Sequence, residues 1–164
     1  MEPASTVVSA EIAVPRDWFF YWFTSVDLPK IMGKYGLIPG VVGVEDQTGP
    51  MHVSGSRRIL LLSDGSTAVE QTTSCDPPGE LQYRLHELTN LFRHFVAEAR
   101  GELWFRETGP ATTSVEWRYS FFGRSLVATL LLKVLIPWQY KGFLQSALTR
   151  ARHLAEAQSR TPGS

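Results

Sequence analysis

The sequence predicts an α+β fold in which a curved antiparallel sheet of about seven strands wraps around a long C-terminal helix. Segments of alternating apolar and polar residues follow one another between tight-turn sequences, which is typical of an antiparallel meander. One of these segments, beginning at Phe95, has charged side chains on one face. Its other face carries the small residues Ala97, Ala99 and Gly101, so a helix can lie close across it. The C-terminal region repeats apolar residues at helical spacing and is expected to supply that helix.

The N-terminal region predicts one strand followed by two short helices. Thr6 to Ala13 alternates apolar and polar residues, and Pro15 suits the first turn of a helix. The apolar residues that recur at helical spacing in this first helix are Trp18, Phe19, Trp22, Phe23 and Val26. The segment from Asp27 to Met32 is predicted as the second short helix.

The middle of the chain predicts a run of hairpins. The expected strands are Val41 to Gln47, His52 to Leu62, Thr67 to Cys75, Leu81 to Glu87, Phe95 to Glu107 and Thr113 to Phe122. The turns between them contain glycine, proline and aspartate, which suit the backbone angles of tight hairpins. The clearest turn sequences are Ser63-Asp64-Gly65, Asp76-Pro77-Pro78-Gly79 and Thr108-Gly109-Pro110. Successive hairpins make neighbouring strands antiparallel, so one meandering sheet is expected.

The C-terminal region is too long for one straight helix. Arg124 to Gln158 would span about 50 Å, against roughly 40 Å for the whole domain. Because proline disfavours a helical conformation at the residue before it, Pro137 is expected to divide the region at Ile136. A short apolar segment then precedes a main helix from about Trp138 to Ala157. The predicted buried stripe of that helix is Tyr140, Phe143, Leu144, Ala147, Leu148, Ala151 and Leu154.

Composition predicts a single soluble domain in which positive and negative charges are balanced. The 164 residues are 43% apolar, enough for one core and one cavity, which we place at residues 6–157 with a disordered tail at 158–164. Lys plus Arg and Asp plus Glu are 16 each, so no nucleic-acid partner is expected. Cys75 is the only cysteine and the four histidines are scattered, so we expect no disulfide, metal or cofactor.

The chain also shows no targeting or spanning pattern. The N-terminus lacks the basic and apolar regions of a signal peptide, which favours a cytoplasmic location. The strongest apolar run is far shorter than the roughly 20 residues that cross a bilayer, so stable membrane insertion is not expected.

Several short patterns along the chain share the order and spacing of one known superfamily. They are Ile12-Ala13-Val14-Pro15-Arg16-Asp17-Trp18-Phe19, Ser25-Val26-Asp27-Leu28-Pro29-Lys30, Gly55-Ser56-Arg57-Arg58, Ser63-Asp64-Gly65, Glu70, Tyr83 and Trp117. Over about residues 7–155 they resemble the START-like (SRPBCC) superfamily, specifically its polyketide cyclase/dehydrase and lipid-transport branch. The resemblance implies a helix-grip fold with an interior cavity. It also implies binding or transport of a small hydrophobic molecule, lipid- or polyketide-like, or alternatively a cyclase, aromatase or dehydratase.

One charged pair is predicted inside the sheet. If Cys75 pairs with Glu80, then Glu70 and Thr72 share the concave face with Tyr83. A buried carboxylate needs a partner, and a three-residue loop ending in Gly65 would place Arg58 beside Glu70. A two-residue loop would place Arg57 there instead, and the spacing from Gly55 that the resemblance implies favours Arg58. The pair either orients the polar end of a ligand or is a structural ion pair.

The remaining candidate residues are expected to line the same cavity. Tyr83, Trp117 and Tyr119 each combine an apolar body with a polar tip, although core packing would also account for them. Leu91 and Phe92 lie in a loop and are expected to form a lid or to cap the core. The other expected lining residues are Ala99, Phe143 and Ala147. If the chain is an enzyme, Glu70 or an aromatic hydroxyl such as that of Tyr83 would move protons.

The segment from Leu126 to Ile136 is apolar on every side. Burial is the first interpretation, a homodimer contact the second, and transient contact with lipid near Lys133 and Lys141 the third. Three functions therefore stay open: a carrier or sensor of a hydrophobic molecule, an enzyme of the cyclase kind, and an interaction module with a solid interior.

Overall fold

Seven strands form one antiparallel sheet in the computed structural model, which describes residues 2–160. The strands are β1 (Ala4–Ile12), β2 (Val41–Glu45), β3 (Arg57–Leu62), β4 (Thr67–Asp76), β5 (Glu80–His86), β6 (Val96–Gly109) and β7 (Thr112–Gly123). Their order across the sheet is β1-β7-β6-β5-β4-β3-β2. From β2 to β7 every strand pairs with its successor in sequence, so the predicted meander is confirmed.

The helices lie at the two ends of the chain. They are α1 (Arg16–Thr24), α2 (Leu126–Leu135) and α3 (Lys141–Ser159), with 3₁₀ turns at Leu28–Lys30 and Leu91–His94. α3 packs against β1, and α1 packs against β6 and β7. The buried side chains of α3 are Phe143, Leu144, Ala147, Leu148, Ala151 and Ala155. The long C-terminal helix held against a curved sheet is the helix-grip arrangement that the sequence predicts.

The division at Pro137 takes a different form from the expected one. Ile136 has helical backbone angles, φ −65° and ψ −51°, and a π-helical turn at Ile136–Tyr140 joins α2 directly to α3. A π turn is wider than an α turn, and such turns accommodate a proline within a helix. The C-terminal region is therefore helical from Leu126 to Ser159.

Two β-bulges change which residues face inward. In β6 the register shifts between Val96 and Glu98, so Ala97 is the extra residue and is exposed, contrary to its predicted place on the small face. In β4 the register shifts between Thr72 and Ser74. Ala99 and Gly101 lie on the buried face as expected.

Most strand ends differ from the prediction by one or two residues, and the start of β3 differs by five. β3 begins at Arg57 rather than at His52, because the chain before it turns at Gly55, whose φ is +92°. α3 continues through Ser159, two residues into the predicted tail, and residues 161–164 lie outside the described part. None of the helices within residues 2–160 is both long and apolar enough to span a bilayer.

Candidate ligand-binding cavity

A cavity of about 130 Å³ lies between the concave face of the sheet and the start of the C-terminal helical region. Its wall is apolar apart from a few side chains, which are Thr24, Arg58, Glu70, Thr72, Asn90, Trp117 and the three tyrosines Tyr83, Tyr119 and Tyr140. The lining residues that are partly exposed include Leu88, Asn90, Phe92 and Leu135. The cavity therefore comes nearest to the surface beside the β5–β6 connection and α2.

The cavity wall contains one buried ion pair. Arg58 and Glu70 are cross-strand neighbours on β3 and β4, and Arg58 Nη2 donates to Glu70 Oε1 at 3.1 Å. Their side chains are only 10% and 11% exposed. The loop Ser63-Asp64-Gly65 sets this register, with Gly65 at φ +84° and Leu62 N–H bonded to the Ser66 carbonyl. The alternative left open at the turn is thereby resolved, because Arg57 is exposed.

The pairing of β4 with β5 near Glu70 is the predicted one, although the pairing at the turn is not. At the turn Cys75 pairs with Leu81 and not with Glu80, one residue away from the predicted pairing. The bulge at Thr73 shifts the register back, so that Thr72 faces Tyr83 and Glu70 faces Leu85. The predicted inward face is therefore present beyond the bulge.

Arg58 has a donor that no protein group uses. Its Nε is buried and has no hydrogen-bond partner within the described residues. A buried N–H without an acceptor costs about 1–3 kcal/mol. Arg58 also lines the cavity, so its guanidinium is the charged hydrogen-bond donor of the cavity wall.

An aromatic cluster forms part of the cavity wall. Trp117 Nε1 donates to the hydroxyl oxygen of Tyr83 at 3.0 Å. The ring of Tyr119 lies 5.8 Å from that of Tyr83 and 5.0 Å from that of Tyr140, centroid to centroid. Burial raises the pKa of all three phenols above the ordinary value, and the charge of Glu70 raises that of Tyr83 further. The cluster therefore presents neutral hydroxyls and no phenolate at physiological pH.

Small residues of β6 make room for this cluster. A methyl group on Gly101 would overlap the ring of Tyr83, which lies directly opposite on β5. Ala99 lies between Leu85 and Phe121 in the sheet and also lines the cavity. The small face predicted for β6 thus accommodates a tyrosine ring and an empty space, whereas the C-terminal helix that was expected to lie across it packs mainly against β1.

Most of the predicted site residues come together in this cavity. Those that line it are Arg58, Glu70, Thr72, Tyr83, Phe92, Ala99, Trp117, Tyr119 and Phe143. The hydroxyl of Thr72 donates to the Met51 carbonyl at 2.7 Å, so it holds the preceding loop to β4.

Two predicted residues lie elsewhere. Leu91 is 77% exposed and does not line the cavity. Neighbouring residues of the 3₁₀ turn point in different directions, and this turn directs Phe92 inward. Ala147 is buried in the core about one helical turn beyond Phe143, where α3 already packs against β1.

Other lining residues were not predicted. Met51 lies in a turn without periodicity, and Asn90 caps the 3₁₀ turn by accepting from Phe92 N–H at 3.1 Å. Tyr140 was predicted to be buried in the apolar stripe of the main helix, but it was not predicted to line the cavity. Within residues 2–160, no group of three or more histidine, cysteine, aspartate or glutamate side chains is placed to hold a metal ion.

Comparison with known proteins shows the fold. No family model matches the chain, and no curated protein matches it in sequence. Among solved structures, the Zhui aromatase/cyclase of Streptomyces sp. R1128 has a TM-score of 0.67 at 16% identity, covering 98% of both chains. Major latex-like protein 151 of Panax ginseng has a TM-score of 0.68 at 17% identity, covering 94% of this chain and 99% of that one.

A second enzyme is also similar. Norcoclaurine synthase of Thalictrum flavum, solved as a point mutant with a transition-state analogue, has a TM-score of 0.65 at 12% identity. The match covers 97% of this chain and 99% of that one. At these identities the likeness concerns the fold alone. The chain therefore has the helix-grip fold that its sequence motifs predicted.

Proposed function

We propose that the chain binds a small, mostly apolar organic molecule that carries an acceptor oxygen. The observation that carries this proposal is the buried side chain of Arg58, which lines an otherwise apolar cavity and whose Nε lacks a hydrogen-bond partner within the described residues. A carbonyl, hydroxyl or carboxylate oxygen of the ligand would accept a hydrogen bond from this guanidinium. The apolar part of the ligand would lie against side chains such as Leu60, Leu81 and Leu103.

The size of the cavity limits the ligand. A dry apolar cavity of about 150 Å³ binds benzene or xenon, whereas drug-sized ligands occupy about 300–1,000 Å³. At about 130 Å³, the cavity admits a molecule of roughly one ring as its walls stand. A lipid chain or a polyketide would require the partly exposed wall at Leu88, Phe92 and Leu135 to move outward.

Catalysis in the same cavity is the second candidate function. The neighbours described as aromatase/cyclase and norcoclaurine synthase are enzymes with this fold. In this chain Glu70 and the Tyr83 hydroxyl line one cavity, so a proton donor and a carboxylate are both within reach of a bound molecule. We place binding first because the buried guanidinium of Arg58, with an Nε that lacks a partner within the described residues, supports recognition of an acceptor oxygen.

The remaining predictions about cellular context belong with this proposal. We propose a single ligand-binding domain over residues 6–157 acting in the cytoplasm, where the lone thiol of Cys75 stays reduced. A homodimer through the apolar segment that begins at Leu126 is the alternative to the use of that segment proposed below, and sedimentation of the whole chain distinguishes the two.

Native mass spectrometry of freshly purified protein tests the proposal. We expect a population heavier than the bare chain, whose added mass is released on unfolding and belongs to an oxygen-containing organic molecule. A bare chain, together with no rise in melting temperature from benzoate, acetophenone or phenol, would contradict binding.

A pair of variants separates the two candidate functions once a ligand is identified. Glu70→Gln and Tyr83→Phe keep the shape of the wall while removing its acid–base groups. If either variant abolishes conversion of the ligand but retains its binding, the chain is an enzyme. If both bind it and the wild type does not convert it, the binding function stands.

A further inference from the structure

The outer face of α2 is apolar and exposed, against the first interpretation of its sequence. Leu132 and Ile136 are buried on the inner side, where both line the cavity. The outer side, together with the following turn, consists of six residues that are 52–69% exposed: Leu126, Val127, Leu130, Leu131, Val134 and Trp138. We call these six residues the α2 apolar face. They recur one, three and four residues apart, so they form one continuous stripe.

The charges along the stretch of helix that carries this face are all positive, with its histidine neutral at pH 7. No aspartate or glutamate occurs between Arg124 and Ala155, although the whole chain has a formal net charge of zero. Lys133 lies within α2 and Lys141 begins α3, and both are exposed. Within the described residues neither lysine takes part in a salt bridge. The local charge thus complements an anionic surface.

The charge and the extent of the face disfavour a second copy of the chain as the occupant. A symmetric pairing of two α2 apolar faces would bring the exposed Lys133 and Lys141 side chains of both copies together, and like charges across an interface are destabilising. The face lies on one short segment, the 10 residues of α2 and the following turn, whereas a stable protein–protein interface takes about 20–30 residues from each partner. A lipid surface has no such minimum, because an amphipathic helix lies in the interfacial plane with its apolar side chains among the acyl chains.

We propose that the α2 apolar face docks on an anionic lipid surface. Leu130, Leu131 and Val134 enter the interface, Trp138 lies at headgroup level, and Lys133 and Lys141 contact the headgroups. Since the inner side of α2 walls the cavity near its approach to the surface, docking brings the cavity next to the membrane. The proposal does not depend on the identity of any ligand, and its test uses none.

Vesicle co-sedimentation of the whole chain tests the proposal. We expect binding to vesicles of phosphatidylcholine with about one third phosphatidylglycerol, and weaker binding to phosphatidylcholine alone. Val134→Glu should lower the partition coefficient at least about tenfold, because it places a charge in the apolar part of the interface. Lys133→Gln should lower it about fivefold, and added salt should remove this difference.

Val42→Glu is the matched control, because Val42 is 61% exposed and Val134 is 69% exposed, and Val42 lies on β2. Its partition coefficient should equal that of the wild type, and circular dichroism should show all variants folded. The proposal is overturned if the wild type binds neither vesicle, or if both valine variants lose binding equally. It is also overturned if sedimentation shows a dimer that Val134→Glu dissociates, since the face would then be covered by a second copy.

Discussion

Removing one member of the Arg58–Glu70 pair should destabilise the chain far more than removing both. The two side chains are 10% and 11% exposed and their charged atoms are 3.1 Å apart. Breaking such a buried pair costs about 3–5 kcal/mol, because the other charge is left uncompensated. For Arg58→Met we therefore expect a loss of this size, or a melting temperature lowered by roughly 6–20 °C.

The double variant Arg58→Met/Glu70→Leu carries the sharper expectation. Replacing a buried ion pair with apolar residues of similar volume is often neutral or stabilising. We expect the free energy of unfolding of the double variant to lie within about 1 kcal/mol of the wild type or above it. The assay is urea unfolding, followed by tryptophan fluorescence and circular dichroism, on protein refolded from urea so that no copurified molecule contributes.

The double variant also separates stability from binding. It should fold, and it should lose the copurified molecule because the Arg58 donor is gone. The reasoning fails if Arg58→Met costs less than about 1 kcal/mol, the range of exposed pairs. It fails equally if the double variant is as unstable as the single one, since the leftover charge would then not be the cause.

Two further predictions test the aromatic wall. Gly101→Ala should lower the free energy of unfolding by about 1–3 kcal/mol, because the new methyl group displaces the ring of Tyr83. Gly79→Ala is the control and should change the melting temperature little, because the nearest atom to its methyl group would be a backbone oxygen at 3.8 Å. Equal losses in both variants would refute this. Because the phenols of Tyr83, Tyr119 and Tyr140 have raised pKa values in the folded state, their stabilisation is complete below the unfolded pKa of about 10 and is lost as the pH rises above it. Above that pH, each phenol should lower the free energy of unfolding by about 1.4 kcal/mol per pH unit. Tyr140→Phe removes one of the three phenols, so its free energy of unfolding should fall less steeply with pH, by about 1.4 kcal/mol per pH unit. An unchanged slope in Tyr140→Phe would contradict the assignment.

The order of elements and the central ion pair could be read from local sequence. The turn Ser63-Asp64-Gly65 determines the pairing of Arg58 with Glu70, because a glycine at its third position selects a three-residue loop. Alternation then places both residues on the face that also carries Thr72. These features depend on neighbouring residues only, which is why periodicity and turn chemistry suffice for them.

The bulges and the π turn depend on contacts that local sequence does not record. Ala97 leaves the small face because β6 and β7 are joined with one extra residue. At Thr73 a similar insertion cancels an error made at the hairpin, so the correct face was predicted from an incorrect turn register. Pro137 is accommodated by a wider turn, which the preference of an isolated proline does not indicate.

The exposed side of α2 could not be predicted from the sequence, for a different reason. A segment that is apolar on every side contains no periodicity, so its sequence cannot show which side is buried. The volume of the cavity likewise depends on how the side chains of several elements pack together. The prediction that Leu91 and Ala147 line the cavity was wrong for this reason. Leu91 is exposed and Ala147 is buried in the core, although both lie on the predicted elements.

Xenon binding in crystals tests most directly whether the cavity accepts a small apolar guest. Under xenon pressure we expect a bound atom between Leu103, Trp117 and Phe143, since dry apolar cavities of about 150 Å³ bind xenon. Ala99→Phe should fill the space and abolish the site, whereas Ala97→Phe, at the exposed bulge of the same strand, should retain it. Wild-type crystals that hold no xenon there, with side chains closing the space, would contradict the account.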